Sequence, residues 1–162
     1  MGSLQGVFIR KAWQSLAVLG MSFMHASLLF ADVGLAVIPA KDGAGLVTVF
    51  YPSRSEAKAI QKGPFALHAA LDGEAKAGNG RLIVISHGSG ASPWVYSDLA
   101  SALVEAGFVV ALPEHAGDNY KDSSELGPVS WRRRPQEISA AIDAIGNDPR
   151  FAKELQLKRV GM

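Results

Sequence analysis

The residue types that most directly suggest chemistry stand together in Ser86-His87-Gly88-Ser89-Gly90. They follow Leu82-Ile83-Val84-Ile85, a continuous apolar run of the kind found in a strand buried on both faces. A His-Gly loop at the end of such a strand lets the backbone turn so that an N–H points at an oxygen that becomes negative during a reaction. Gly90 and Trp94, next along the chain, are the candidates to border a substrate, and core packing is the plainer role for Trp94. The Ser89 hydroxyl, with His115 as base and Glu114 or Asp118 as orienter, has the residue types of a Ser-His-acid relay. It lacks the Gly-x-Ser-x-Gly spacing, because His87 stands where the first glycine belongs. The bland reading of the segment is a set of turn residues at a sheet edge.

Two other patterns compete for attention. Gly88-Ser89-Gly90 follows a strand and opens a helix, and Glu114 ends the next strand, where a ribose-binding acid would stand. That makes a nucleotide-binding module the alternative function. Against it, the third glycine of the fingerprint falls on Pro93, and a hairpin precedes a strand with which such domains usually begin. Trp131-Arg132-Arg133-Arg134 has the composition of a phosphate or nucleic-acid patch, but three charges ahead of a helix more often form a solvated face. His68 has no second ligand candidate near it and reads as a solvated or packing side chain.

These residues need elements to position them. Gly34–Pro39 and Leu46–Tyr51 read as two antiparallel strands around a Gly-containing turn, and Pro52-Ser53 ends the second. The stretch from Arg54 to Gly80, rich in Ala, Lys and Gly, reads as a surface connection with helical pieces around Ser55–Gln61 and Phe65–Leu71. Ser92 is placed to cap a helix with Pro93 in its first turn, and Val95, Leu99, Ala102, Leu103 and Ala106 recur at helical spacing before Gly107. Phe108–Leu112 is the next buried strand, so this is a βαβ unit with parallel strands. A loop over Pro113–Ser130 leads to a helix opened by Pro135, with Ile138, Ala141, Ile142 and Ile145 on one face. A further buried strand starts at Lys158–Met162. There are no repeats.

With 48% hydrophobic and 19% charged residues, the composition is that of a folded domain. A net charge of +1 gives no support for nucleic-acid binding, and the absence of cysteine removes disulfides and thiolate metal sites. Charge is uneven: Met1–Ala31 holds Arg10 and Lys11 and no acid, whereas the remainder carries a net −1. The basic pair and the apolar Ala12–Met24 that follows have the layout of an export leader, with Ala26 and Ala31 as cleavage candidates. The expected organisation is a signal peptide or N-terminal anchor over 1–31 and a catalytic-type domain over 32–162.

The segment from Arg81 to Asp118 resembles the dienelactone-hydrolase-like α/β-hydrolases related to the platelet-activating-factor acetylhydrolases. The resemblance rests on Leu82–Gly90 and on Val109-Val110-Ala111-Leu112-Pro113-Glu114-His115-Ala116-Gly117-Asp118. Trp131–Pro135, Arg159-Val160-Gly161-Met162 and Tyr51-Pro52-Ser53 extend it over essentially all of 33–162. It implies an α/β fold, the N-terminal part of an α/β-hydrolase with an antiparallel hairpin followed by parallel βαβ units. It implies hydrolysis of a small ester or lactone through an acyl-serine, with no cofactor, metal or nucleic acid. By position, the backbone N–H of Ser89, shaped by His87 and Gly88, is one donor of the oxyanion hole. Counting the hairpin as strands one and two makes Leu82–Ile85 the third, after which the family places this loop. Arg134-Pro135 belongs to the scaffold. In that family Arg-Val-Gly-Met leads into the serine elbow, so the sequence is expected to stop short of the triad, to be inactive alone, and to offer a sheet edge for self-association.

Overall fold

The computed structural model describes residues 32–41 and 44–162. The leader expected over 1–31 lies outside the described residues. Six strands form one sheet in the order β3-β4-β1-β2-β6-β5: β1 (Asp32–Pro39), β2 (Leu46–Ser53), β3 (Lys58–Lys62), β4 (Phe65–Leu71), β5 (Leu82–Val84) and β6 (Val109–Pro113). β1 and β2 are antiparallel in register from Asp32↔Ser53 to Pro39↔Leu46, as the turn chemistry between them predicts. β5 and β6 run parallel, from Leu82↔Val109 to Val84↔Ala111. β6 in turn pairs antiparallel with β2, joining the hairpin to the βαβ unit.

Both faces of the central strands are covered, which is why their sequences are apolar without alternation. Val109 and Ala111 of β6 face a cluster with Tyr51, Leu82 and Val84, closed by Ala141 and Ile145 of α2 (Pro128–Asn147). Val110 and Leu112 face the other side, against Phe50, Leu35 and the Ala100 and Val104 of α1 (Ser97–Glu105). Gly34 sits directly beneath the Tyr51 ring, where a Cβ would come within 2.4 Å of Cε2. The Tyr51 hydroxyl donates to the Gly73 carbonyl at 2.8 Å.

Five sequence expectations change. The stretch 54–80 is no surface connection with helical pieces: β3 and β4 form a hairpin in register from Lys58↔Ala69 to Lys62↔Phe65. Its turn is Gly63-Pro64, with Gly63 at φ +58°, and Leu67 and Ala69 are buried while Ala66 and His68 are exposed. Tertiary burial of that alternating face overrides the helix preference of Ala, Leu and Lys. The hairpin also makes the strand before the His-Gly loop the fifth, not the third. The first helix buries Ser97, Ala100 and Val104, leaving Val95 and Leu99 half exposed. Small side chains on the inward face let the helix lie close to the sheet.

The second helix starts at Pro128 rather than Pro135. Gly127 at φ +86° supplies a backbone conformation that favours glycine, and Pro128 opens the first turn. Pro135 is therefore inside the helix, where it removes one backbone donor. At the far end, the buried strand expected from Lys158 is not formed: Leu157–Arg159 make a short 3₁₀ turn. Only Gly161 pairs with β5 in parallel, its carbonyl accepting from the Val84 N–H and its N–H donating to the Leu82 carbonyl, both at 2.9 Å.

Candidate active site

The 86–90 loop leaves the C-terminal end of β5 and is gripped by the segment after β6 and by one face of α2. The minor reading of the sequence pairs His115 with Ser89. The structure separates them: His115 Nε2 lies 2.8 Å from Ser86 Oγ and its Nδ1 lies 2.6 Å from Glu137 Oε2. Because a carboxylate only accepts, Nδ1 carries the proton and Nε2 accepts from the Ser86 hydroxyl. Ser86-His115-Glu137 thus has the connectivity of a catalytic relay. Its burial is that of a structural one. His115 is 0% exposed, so no leaving group reaches the nitrogen that Ser86 already occupies.

Ser89 is held quite differently. Its hydroxyl donates to Asp118 Oδ1 at 2.7 Å, and the Gly90 N–H donates to the same oxygen at 2.8 Å. Asp118 Oδ2 accepts from Arg134 Nη2 at 3.0 Å, while Arg134 Nη1 donates to the His87 carbonyl at 2.6 Å. Burial alone would raise the Asp118 pKa. Hydrogen bonds from Ser89, Ser130, Gly90 and Arg134 outweigh it and hold the carboxyl well below its usual range. A carboxylate so firmly ionised is a fixed anchor, not a proton acceptor for Ser89.

The two histidines complete the frame. Their rings are 4.8 Å apart, and the His115 N–H donates to His87 Nε2 at 3.4 Å. His87 Nδ1, 2.8 Å from the Gly88 carbonyl, must then be the protonated nitrogen. Burial lowers the pKa of both rings, and neither the Gly88 carbonyl beside His87 nor Glu137 beside His115 offsets it. Both are neutral at pH 7.

What remains open on the loop is its outer side. Gly88 and Ser89 are exposed, and their backbone N–H groups meet no acceptor among the described residues. A Cβ at Gly88 would meet nothing within 4 Å. Gly90, at φ +67°, turns the chain into Ala91 and a cleft of about 520 Å³. Trp94, Val95, Tyr120, Leu46 and Phe65 give it apolar walls, with Glu114, Lys62 and Lys121 as its charged groups. Trp94 lines this cleft and packs partly against the α1 side of the core.

The remaining candidates fall elsewhere. Glu114 pairs with Lys121 at 3.1 Å, which occupies the acid that the nucleotide reading needs. Arg133 and Arg134 are not a solvated face. Arg133 binds Glu137, Glu125 and the Ala116 carbonyl, and Arg134 binds the loop, leaving Arg132 exposed. His68 is exposed on β4. No group of three or more metal-ligating side chains occurs among the described residues. Sequence reasoning missed Ser86, Arg134 and Glu137 as a set. One signal was available: positions 130, 133, 134 and 137 share one helical face once the helix is started at Gly127-Pro128.

This geometry falls within a recognised family. The model of the platelet-activating factor acetylhydrolase, isoform II, family matches residues 38–138, from the end of β1 to Ile138 of α2. Among solved structures, the ferulic acid esterase from Streptomyces cinnamoneus superposes with a TM-score of 0.63 at 19% identity, over 85% of this chain and 53% of that one. The likeness shows a shared fold, and this chain spans about half the esterase's length. A search of curated proteins finds no match. With the family match covering well over half of its residues, the chain belongs to the platelet-activating factor acetylhydrolase, isoform II, family of α/β-hydrolases.

Proposed function

We propose that this chain supplies the oxyanion-stabilising element of a serine-type carboxylic ester hydrolase acting on a small ester or lactone. The observation that carries the reading is the division of labour at Ser89. Its side chain is tied down to Asp118, while the N–H of this exposed residue meets no acceptor among the described residues. An N–H fixed in that way stabilises a carbonyl oxygen as it becomes an oxyanion, without reorganising during the reaction. His87 and Gly88 shape the turn. Gly90 and Trp94 border the substrate on this reading, and the apolar walls beside Trp94 would receive its apolar group.

The given sequence contains no Gly-x-Ser-x-Gly, so on this reading neither Ser86 nor Ser89 is the attacking serine. We therefore expect residues 1–162 by themselves to give negligible turnover. The basic and apolar pattern of 1–31 supports export, which N-terminal sequencing of the secreted product would test.

The decisive experiment reads the DNA downstream of codon 162 and, where a Gly-x-Ser-x-Gly elbow follows in frame, measures hydrolysis of p-nitrophenyl butyrate by that product. Absence of such an elbow would overturn the reading. Ser89→Pro deletes the backbone donor, and Ser89→Ala keeps it. The proline variant should lose on the order of 10²–10³-fold in kcat, and the alanine variant far less. Equal losses in the two, or no hydrolysis by the unsubstituted protein, would overturn the reading.

A further inference from the structure

The loop that presents the Ser89 N–H is anchored almost entirely by residues distant in sequence. Two clamps can be separated. In one, Glu137 holds His115, and His115 holds the Ser86 hydroxyl and, through its N–H, the His87 ring. In the other, Arg134 bridges the His87 carbonyl and Asp118, and Asp118 takes both the Ser89 hydroxyl and the Gly90 N–H. Each buried carboxylate has an arginine partner from α2, Arg133 for Glu137 and Arg134 for Asp118.

We propose that His115, Glu137, Asp118 and Arg134 are positioning residues that fix the 86–90 loop before substrate arrives, so that its outward amides are aimed in the resting protein. None of the four touches the outer side of the loop. His115 and Asp118 are fully buried and Glu137 is 1% exposed, so they act through Ser86, His87, Ser89 and Gly90. Between them the clamps engage every one of those residues. On the outer side of the loop, the N–H groups of the exposed Gly88 and Ser89 meet no acceptor among the described residues, and that of Ser89 is the one the oxyanion reading uses. Displacement of a catalytic donor by about 1 Å costs on the order of 10²-fold in rate, so clamps of this kind have a large effect to exert.

The proposal rests on the oxyanion reading, and the experiment separates the two. Glu137→Gln and Arg134→Lys preserve size and, for lysine, charge, but lysine lacks the fork that reaches two acceptors at once. ¹⁵N relaxation on the 162-residue chain reads loop order without substrate. Gly88 and Ser89 should have order parameters of about 0.85, falling towards 0.6 in Arg134→Lys. Gly90 amide exchange should quicken at least tenfold, and Glu137→Gln should move the low-field Nδ1 proton of His115. Where a continued reading frame yields an active esterase, its kcat should fall at least tenfold with KM little changed. Should either variant not fold, Asp118→Asn, which keeps an acceptor for Ser89 and Gly90, takes its place. Unchanged loop order and unchanged kcat would overturn the clamps even where hydrolysis is present. A loosened loop in a protein without esterase activity would support the clamps and remove the oxyanion reading instead.

Discussion

Two connections in this molecule, the 86–90 loop and the Gly63-Pro64 turn of the β3–β4 hairpin, reach a fixed shape by opposite means. The turn is local. Lys62 and Phe65 pair across it, Gly63 takes φ +58°, and nothing lies within 4 Å of where a Cβ at Gly63 would be. The loop also contains a glycine with positive φ, Gly90 at +67°, but its conformation is imposed from 28 to 47 residues away. The backbone ladder suffices for a hairpin with one exposed face. An element that must leave the Ser89 N–H unbonded cannot rely on its own backbone, and buried charge from other segments holds it.

The comparison breaks most sharply where a clamp is cut. Arg134→Ala strands the fully buried Asp118 without its ion partner, a loss of about 3–5 kcal/mol in urea unfolding. A value under about 1 kcal/mol would mean that the loop is no more dependent on charge than the hairpin. Acid provides a graded version of the same cut. Burial holds His87 and His115 below the ordinary imidazole value of 6.5, so the unfolded chain binds protons more readily. Stability is full above 6.5 and declines as the pH falls through the folded values. A second decline follows below 3.8 as Asp118, held well under that value, is finally protonated. Unfolding free energies measured from pH 8 to 3 should show both, and a flat profile between 7 and 4.5 would contradict the buried neutral histidines. At the small end, exposed His68→Ala on the hairpin should change stability by no more than roughly 0.5 kcal/mol.

What could be read from the sequence follows the same divide. Leu82–Ile85 and Phe108–Leu112 announced buried parallel strands because both their faces are covered, and the His-Gly loop between them drew attention through its small residues. The hairpin was misread because half its side chains are exposed and its composition, Ala, Lys and Leu, favours helix. Its Gly-Pro turn was the available cue. Helix α2 was started seven residues late because Pro135 resembles a first-turn proline, and Gly127-Pro128 is a better one. That error hid the site's frame. With the helix begun at Pro135, Arg134 falls outside it, and the shared face of Ser130, Arg133, Arg134 and Glu137 is lost. The pairing of His115 with Ser86 instead of Ser89 depends on which way side chains point at the ends of two strands, and residue types alone do not fix it.

Labelling of the 162-residue chain with a fluorophosphonate, followed by peptide mass spectrometry, tests the central claim most directly. Ser86 has a histidine at 2.8 Å and Ser89 an aspartate at 2.7 Å, so each has a plausible-looking activator. If these serines position the loop and do not attack, neither carries an adduct after prolonged exposure at pH 7–8. A stoichiometric adduct on Ser86 would make Ser86-His115-Glu137 a working relay, and one on Ser89 would make it a nucleophile. Either would contradict the account.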